Sequence, residues 1–526
     1  MGSHLVRTAR GAGYMPKLPH STHGLHPLRS VCANLPLCVR RFVNSNGVSG
    51  AGRSAATALA SIADAISRAE PGDLILLLPG EYRGPSNTNI VAPAHVTIAS
   101  LAGPAVTTID CTGSTQPCRF VEFTDMSQGA VVASLTVSGG SALDGSGVDS
   151  GGCLLVSGGE GSRVENMVFT NCTASRGGAV AVLGGASTQL VNLTATECTA
   201  DIGGAVFLEL PLVAAPPPAR PIVDALVLER CNATVAGGGL AVVALHAGTN
   251  AYPDVAAAMW LRGVSVLACM SRTGGGIWFG PASVTAEVDC PTCFAKATAE
   301  LRVEASTVDS CVAVEGAGIA SMSSTSTGTT SVSSALTTFN MLCTGSTVRN
   351  NTAELAGGVL VEGTTVTVTN SNVRGNAAAS VLHLLPDAVV NGAFGTPGAA
   401  TSRAVPRHLV RYGGGIAVRD FASLLVNDGS QITENTAVQG AGVYVVDSHI
   451  HVVASLVSAN VATMNGGGLL ATYTWTPPDA GAIMADSVVR ANTAAYGGGL
   501  WTDVPLFMST NSTFVQNRAL EVGGHM

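Results

Sequence analysis

The chain has 526 residues, of which 46% are hydrophobic, 11% charged, 4% aromatic and 63 are glycine. Ordinary globular domains carry about 25% charged residues. A chain this poor in charge but rich in Val, Leu, Ile and Ala is not disordered, and its glycines keep no collagen period of three. The formal charge is −8 with no basic stripe, which argues against nucleic acid as a partner. No apolar run approaches the roughly 18 residues that span a bilayer.

Residues 1–54 read as a disordered or targeting leader. Arg7, Arg10, Lys17, Arg29, Arg40, Arg41 and Arg53 all precede the first acidic residue, Asp64. An acid-free basic leader has the pattern of an organelle transit segment, and an apolar secretory core is missing. The segment Thr57 to Ala69 predicts a helix with Leu59, Ile62, Ala63 and Ile66 on one face. It runs through Pro71-Gly72-Asp73 into an apolar strand from Leu74 to Leu78. A helix here covers the open edge of a sheet that starts at that strand.

From Gly151 onward a glycine pair followed by small apolar residues recurs at intervals of 25 to 27 residues where the repeat is tightest. The corners so marked include Gly178, Gly204, Gly239, Gly276, Gly358, Gly415, Gly442, Gly468 and Gly499. A second landmark stands about seven residues earlier: Asn171, Asn232, Asn351, Asn435, Asn460, Asn492 and Asn517. Before each Asn comes an alternating segment such as Val164 to Phe169, and after each glycine pair another short one such as Val443 to Val446. These read as short strands bounded by turn residues.

A unit with two or three short strands and no helical period matches one coil of a right-handed parallel β-helix, an all-β solenoid in which stacking buries what one coil cannot. Glycine suits the tight corners. A stack of Asn can form an amide ladder. At ~4.8 Å per coil, about fourteen coils give a rod of ~70 Å. The β-helix is expected to occupy residues 55–526.

The helix, Pro71-Gly72-Asp73, the apolar strand and Pro79-Gly80-Glu81-Tyr82 resemble the opening of pectin-lyase-like β-helix proteins, and Thr107-Thr108-Ile109-Asp110 continues the likeness. The Gly-Gly repeats with Phe169-Thr170-Asn171 or Phe514-Val515-Gln516-Asn517 upstream resemble those of polymorphic outer membrane proteins. That second resemblance implies a surface-exposed passenger followed by a β-barrel. The chain stops at Met526 just after a glycine pair, without a barrel, and so reads as truncated at its C-terminus.

Of thirteen cysteines, Cys172, Cys198, Cys231, Cys269 and Cys311 fall at or beside the Asn position. Coils ~4.8 Å apart would bring such residues within disulfide range. The alternatives are inter-coil disulfides, such as Cys172 with Cys198, or a ladder of small reduced residues. Cys111 with Cys118, and Cys290 with Cys293, read as local loop disulfides rather than metal or redox centres.

Catalysis on this fold needs a cluster of charged groups. Asp309, Glu315, Asp420, Asp428 and Glu434 recur at no single repeat offset. His408, Arg411 and Arg419 near Asp420 read as a solvated loop edge, and His449 with His451 as surface polarity lacking a third ligand. No cofactor or metal is expected. Insertions at Pro211–Pro221, His246–Val255, Ala282–Thr298, Ser321–Thr338 and Pro386–Arg407 mark one face as a candidate interaction surface for glycans or proteins. The reading is a non-catalytic extracellular or cell-surface rod with a structural, adhesion or binding role. The competing reading is a carbohydrate-active enzyme, either polysaccharide lyase or glycoside hydrolase. Three or more carboxylates or bases converging in a groove would favour the enzyme.

Overall fold

The structure is a computed structural model. It describes residues 39–46, 50–143, 149–212, 222–246, 255–281, 297–323, 337–381, 384–385, 411–473, 481–504 and 507–521. The chain folds as a parallel β-helix. Its described strands form three parallel sheets of 27, 10 and 13 strands, here sheets 1, 2 and 3 in their order along a coil. One coil shows the path. Gln189–Thr196 lies in sheet 1, Thr199–Ile202 in sheet 2 and Val206–Leu212 in sheet 3, before Ile222–Glu229 re-enters sheet 1.

Burial differs by sheet, and residue choice follows it. Thr365–Thr369 in sheet 1 alternates partly exposed Thr with buried Val. Sheet 3 strands such as Ile319–Met322 and Val359–Glu362 are buried at every position. Their inward side chains join the main core. Their outward side chains, including Phe207, Trp278, Leu360, Tyr444 and Leu470, form a second apolar cluster with Leu355 and Ala356 from the preceding corner. Sheets 2 and 3 therefore meet at an angle and enclose a concave face.

The solenoid begins earlier than the sequence suggests. Arg40–Val43, inside the expected leader, pairs in register with Leu74–Leu77. Arg41 binds the buried carboxylate of Asp73 at 3.0 Å and anchors that first strand. The helix is shorter than expected, Ile62–Ile66, because the Ser61 side chain accepts from the Asp64 N–H and caps it there. Ala65 rather than Ala63 faces inward.

Both corners carry ladders. Asn351, Asn376, Asn435, Asn460, Asn492 and Asn517 stack, each amide donating to the next Asn Oδ1 at 2.9–3.1 Å. The Oδ1 also accepts the backbone N–H of the Asn before it, at 3.0–3.1 Å. Asn171 and Asn232 stand outside this ladder. The inward slot in their coils is Cys172 and Cys231, and Asn171 takes the left-handed turn position at φ 54°. The Asn232 spacing is offset because its strand carries a register shift. The missed member, Asn376, is separated from its glycine corner at Gly413–Gly415 by an insertion.

The glycine corner has three slots. Gly178 and Gly204 occupy the middle one. Gly239, Gly276, Gly358, Gly415, Gly442, Gly468 and Gly499 occupy the last, where Ala179 and Ala205 stand in the early coils. In the later coils a Cβ on that last glycine would come within 2.8–3.1 Å of the Asn Nδ2 in the next coil, as at Gly358, Gly415, Gly442, Gly468 and Gly499. The Asn and the glycine are thus one paired device. A Cys in the inward slot does not by itself admit Ala: Gly239 and Gly276 lie beside Cys269 and Cys311, yet a Cβ there would come within 2.5 and 2.4 Å of Val266 and Val308 Cγ1.

Candidate functional site

In the concave face, Arg419 is the residue on which several carboxylates converge. It ends the sheet 3 strand Ile416–Arg419 and stands in register beside Glu362, the end of Val359–Glu362. Its Nε donates to Glu362 Oε2 at 2.8 Å, and its Nη2 contacts the same oxygen. Nη2 also donates to Glu315 Oε2 at 3.2 Å, reaching back to the end of the sheet 2 strand Val312–Glu315. Asp420 Oδ2 lies 3.8 Å from Nε. Side-chain exposure is 10% for Glu362, 26% for Glu315 and 27% for Arg419, so this is a partly enclosed site. The expected solvated edge describes Asp420 and Arg411, whose side chains are 64% and 42% exposed, but not Arg419 and Glu362, which are drawn in between the strands. His408 lies outside the described residues.

Burial pushes the Glu362 carboxyl above the ordinary carboxylate range; Arg419 pulls it down, while Glu315 and Asp420 push it further up. A raised carboxyl keeps its proton to higher pH than an ordinary glutamate, which makes Glu362 a candidate proton donor. Nearby, Tyr412 and Tyr444 stack at 4.4 Å between ring centroids. The backbone then takes two left-handed residues in succession, Asp420 at φ 60° and Phe421 at φ 58°. The neighbouring coils also turn left-handed at Gly363 and Asp447, so Asp420 follows the coil pattern, whereas Phe421 is an added strain of about 1–3 kcal/mol beside the site.

A second charged recess of about 410 Å³ lies near the start of the rod, lined by Glu81, Thr108, Asp110, Thr112 and Ser138. Arg83 contacts both Glu81 and Asp110 there. Burial pushes Asp110 up, but hydrogen bonds from Thr112 and the Arg83 charge outweigh it and hold it below its ordinary value. That carboxylate is a poor proton donor, so the Arg419 cluster is the stronger candidate. Among the described residues no group of three His, Cys, Asp or Glu is placed to hold a metal ion. His449 and His451 lie on a sheet 1 strand beside Ser423 and Leu425.

Cys111 is bonded to Cys118, and Cys153 to Cys172. Cys172 therefore bonds Cys153, in the last slot of the preceding glycine corner, rather than Cys198, and Cys198, Cys231 and Cys269 are free and buried together with Cys311 and Cys343. Cys290 and Cys293 lie outside the described residues. The Cys153–Cys172 bond closes a separation of 19 residues. Replacing both by alanine is expected to destabilise the first coils by about 3 kcal/mol, read as a lowered thermal midpoint.

No protein-family model matches the chain, and no curated protein sequence is similar to it. Solved structures with a related fold include a periplasmic alginate epimerase (TM-score 0.39, 9% identity, 77% of this chain and 83% of that chain). They also include the catalytic domain of a GH87 α-1,3-glucanase in complex with nigerose (TM-score 0.26, 10% identity, 92% and 67%). A third is a mannuronic acid specific polysaccharide family 6 lyase from human gut microbiota (TM-score 0.26, 11% identity, 84% and 78%). These are carbohydrate-active enzymes; the likeness itself shows the fold, and the expectation of a non-catalytic structural or adhesion rod is corrected. That expectation rested on carboxylates scattered along the sequence; the fold gathers Glu315, Glu362 and Asp420 around Arg419.

The sequence missed this site because its parts come from two sheets and three coils. Two insertions of unequal length separate Glu315 from Glu362 and Glu362 from Arg419, so no fixed spacing links them. The available signal was the sheet 3 segments themselves. They are continuous apolar runs ending in a charge, Val359-Leu360-Val361-Glu362 and Ile416-Ala417-Val418-Arg419, which marks burial on both faces.

Proposed function

We propose that the chain is a carbohydrate-active enzyme whose polysaccharide substrate lies along the concave face between sheets 2 and 3. The observation that carries this reading is the convergence of Glu315, Glu362 and Asp420 on Arg419 beside the stacked Tyr412 and Tyr444. Glu362 is the proton donor, Glu315 the second carboxylate, and Arg419 holds the two in place. Fold alone does not assign the activity. The test is cleavage of a panel of polysaccharides, followed by new chain ends. Cleavage supports the reading, and an inert chain overturns it.

The raised Glu362 carboxyl sets a pH dependence. A proton donor works only while protonated, so kcat/KM is expected to fall as pH rises through the Glu362 pKa, which lies above the ordinary ~4.3 of glutamate. A pH–rate profile without a descending basic limb would contradict its role.

The two disulfides support an oxidising location, extracellular or periplasmic. The likeness of the glycine repeats to polymorphic outer membrane proteins stays part of the reading at the level of the coil: glycine corner, Asn corner, short strands. No described helix is long and apolar enough to cross a membrane.

A further inference from the structure

We infer that Asn171, Asn192, Asn350 and Asn511 are acceptor sites for N-linked glycans, and that Asn232, in a triplet of the same form, is not. This stands apart from the reading of the concave face as an active site. The chain holds five Asn-X-Thr triplets: Asn171-Cys172-Thr173, Asn192-Leu193-Thr194, Asn232-Ala233-Thr234, Asn350-Asn351-Thr352 and Asn511-Ser512-Thr513. By itself the triplet decides little, because a chain rich in Asn and Thr makes it by chance. The fold sorts the five. Asn171, Asn192, Asn350 and Asn511 are exposed and take left-handed turn positions at φ 46–54°. Asn350 stands at the corner between the sheet 1 strand Thr347–Arg349 and the sheet 2 strand Thr352–Leu355, and Asn171 follows Val168–Thr170 at the same corner. Asn511 stands at the bend within sheet 1, between Phe507–Thr510 and Thr513–Val515. Asn192 occupies that bend in its own coil, where the pairing passes from Val191 to Leu193. Between Asn and Thr the side chains of Cys172, Leu193 and Asn351 turn inward, so the acceptor amide and the Thr hydroxyl share the outer side.

The turn conformation does not itself call for asparagine. The same corner holds Glu197, Arg230, Ala268 and Ser310 at φ 52–56°, and the same bend holds Ala225, Ala305 and Ala454. Asn232 differs: it is half-buried, begins the sheet 2 strand Asn232–Ala236, and pairs with Thr199 on one side and Met270 on the other. Its Oδ1 is fully buried, so the amide lacks the clearance of a turn. The exposed amides can carry a sugar without losing their contacts. Asn192 Nδ2 donates to Asn166 Oδ1 at 2.6 Å, Asn350 Nδ2 to Asp309 Oδ1 at 3.0 Å and Asn511 Nδ2 to Asp486 Oδ1 at 2.6 Å. Glycosylation replaces one of the two amide hydrogens, and the other remains to donate. The donor is an oligosaccharide carried on a lipid diphosphate. The amide nitrogen bonds to its anomeric carbon, the bond from that carbon to the phosphate oxygen breaks, one amide proton is released and the lipid diphosphate leaves. No oxidant or reductant enters. The two disulfides suit the oxidising lumen in which such donors are used. Glycans at these four positions would line sheet 1 and leave the concave face open.

The experiment secretes the full chain from cultured mammalian cells behind a host signal sequence. The product is treated with peptide N-glycosidase in heavy-oxygen water, which leaves a labelled aspartate wherever an N-linked glycan was removed, and peptide mass spectrometry places each label. The inference expects labels at positions 171, 192, 350 and 511 and none at 232. Thr352→Ala keeps Asn350 but removes the hydroxyl of its triplet, and should cost the secreted chain one glycan. Vacancy at any of the four overturns the assignment of that site. A label at 232 in the secreted chain overturns the claim that the fold sorts the triplets. Secretion only after Asn171, Asn192, Asn350 and Asn511 are each replaced by Gln would make glycans there incompatible with the rod and overturns the inference as a whole.

Discussion

Replacing Glu362 by glutamine is expected to reduce kcat/KM on the cleaved glycan by about 10²- to 10⁴-fold, the usual worth of a positioned proton donor. The change keeps shape and removes the exchangeable acid. Arg419 retains Glu315 and Asp420 as charge partners, so the thermal midpoint should move by only a few degrees. Two further readings separate chemistry from scaffolding. The basic limb of the pH–rate profile should vanish with the acid. A substrate whose leaving group departs without a proton should lose far less rate than a natural glycan. Equal losses on both substrates would make Glu362 a structural residue.

Replacing Asn435 by alanine is expected to destabilise the solenoid by about 3–5 kcal/mol. Its Oδ1 accepts the N–H and the amide of Asn376, and its own amide donates to Val373 and Asn460, all in the dry interior. Removing it strands donors and acceptors in both neighbouring coils, each costing about 1–3 kcal/mol. The comparison is Asn171→Ala, which lies outside the ladder in a left-handed turn position that alanine fills at Ala268, Ala459 and Ala491. Only about 1 kcal/mol is expected there. Thermal or urea unfolding of both variants distinguishes them, and equal losses would show that the amide stack adds nothing beyond a turn residue. The paired slot gives a further check. Gly415→Ala should destabilise strongly in the native background, because its Cβ would lie 2.6 Å from the Gly442 carbonyl and 2.9 Å from Asn435 Nδ2. Adding Asn435→Cys should recover only the part due to the amide, since the 2.6 Å approach to the Gly442 carbonyl remains.

The architecture was legible because it depends on local signals repeated many times. Glycine corners, an inward polar or thiol slot and alternating strands such as Thr365–Thr369 recur in nearly every coil, so errors at one coil are corrected by the next. Register was less legible. Counting back from the glycine pair put Asn171 and Asn232 in the ladder, where the inward slot belongs to Cys172 and Cys231, because the pair itself slides between slots and one strand carries an extra residue. The start of the rod was hidden for another reason: Arg40–Val43 looks like part of a basic leader until Asp73 is seen to hold Arg41. The site was the least legible feature. Glu315, Glu362 and Arg419 are ordinary strand-end charges in sequence, and only stacking three coils across two insertions makes them neighbours. The apolar run in front of each charge was the one local clue, since an uninterrupted run marks a strand with no solvated face.

The most direct measurement is a crystal structure of the Glu362→Gln variant soaked with an oligosaccharide of whichever polymer the native chain cleaves. The oligosaccharide should lie along the concave face past Tyr412 and Tyr444, with a glycosidic oxygen within hydrogen-bond reach of the side chain at position 362. Density found instead on the outer face of sheet 1, for example over the exposed Trp260 with its Arg302 partner, would contradict the placement of the active site.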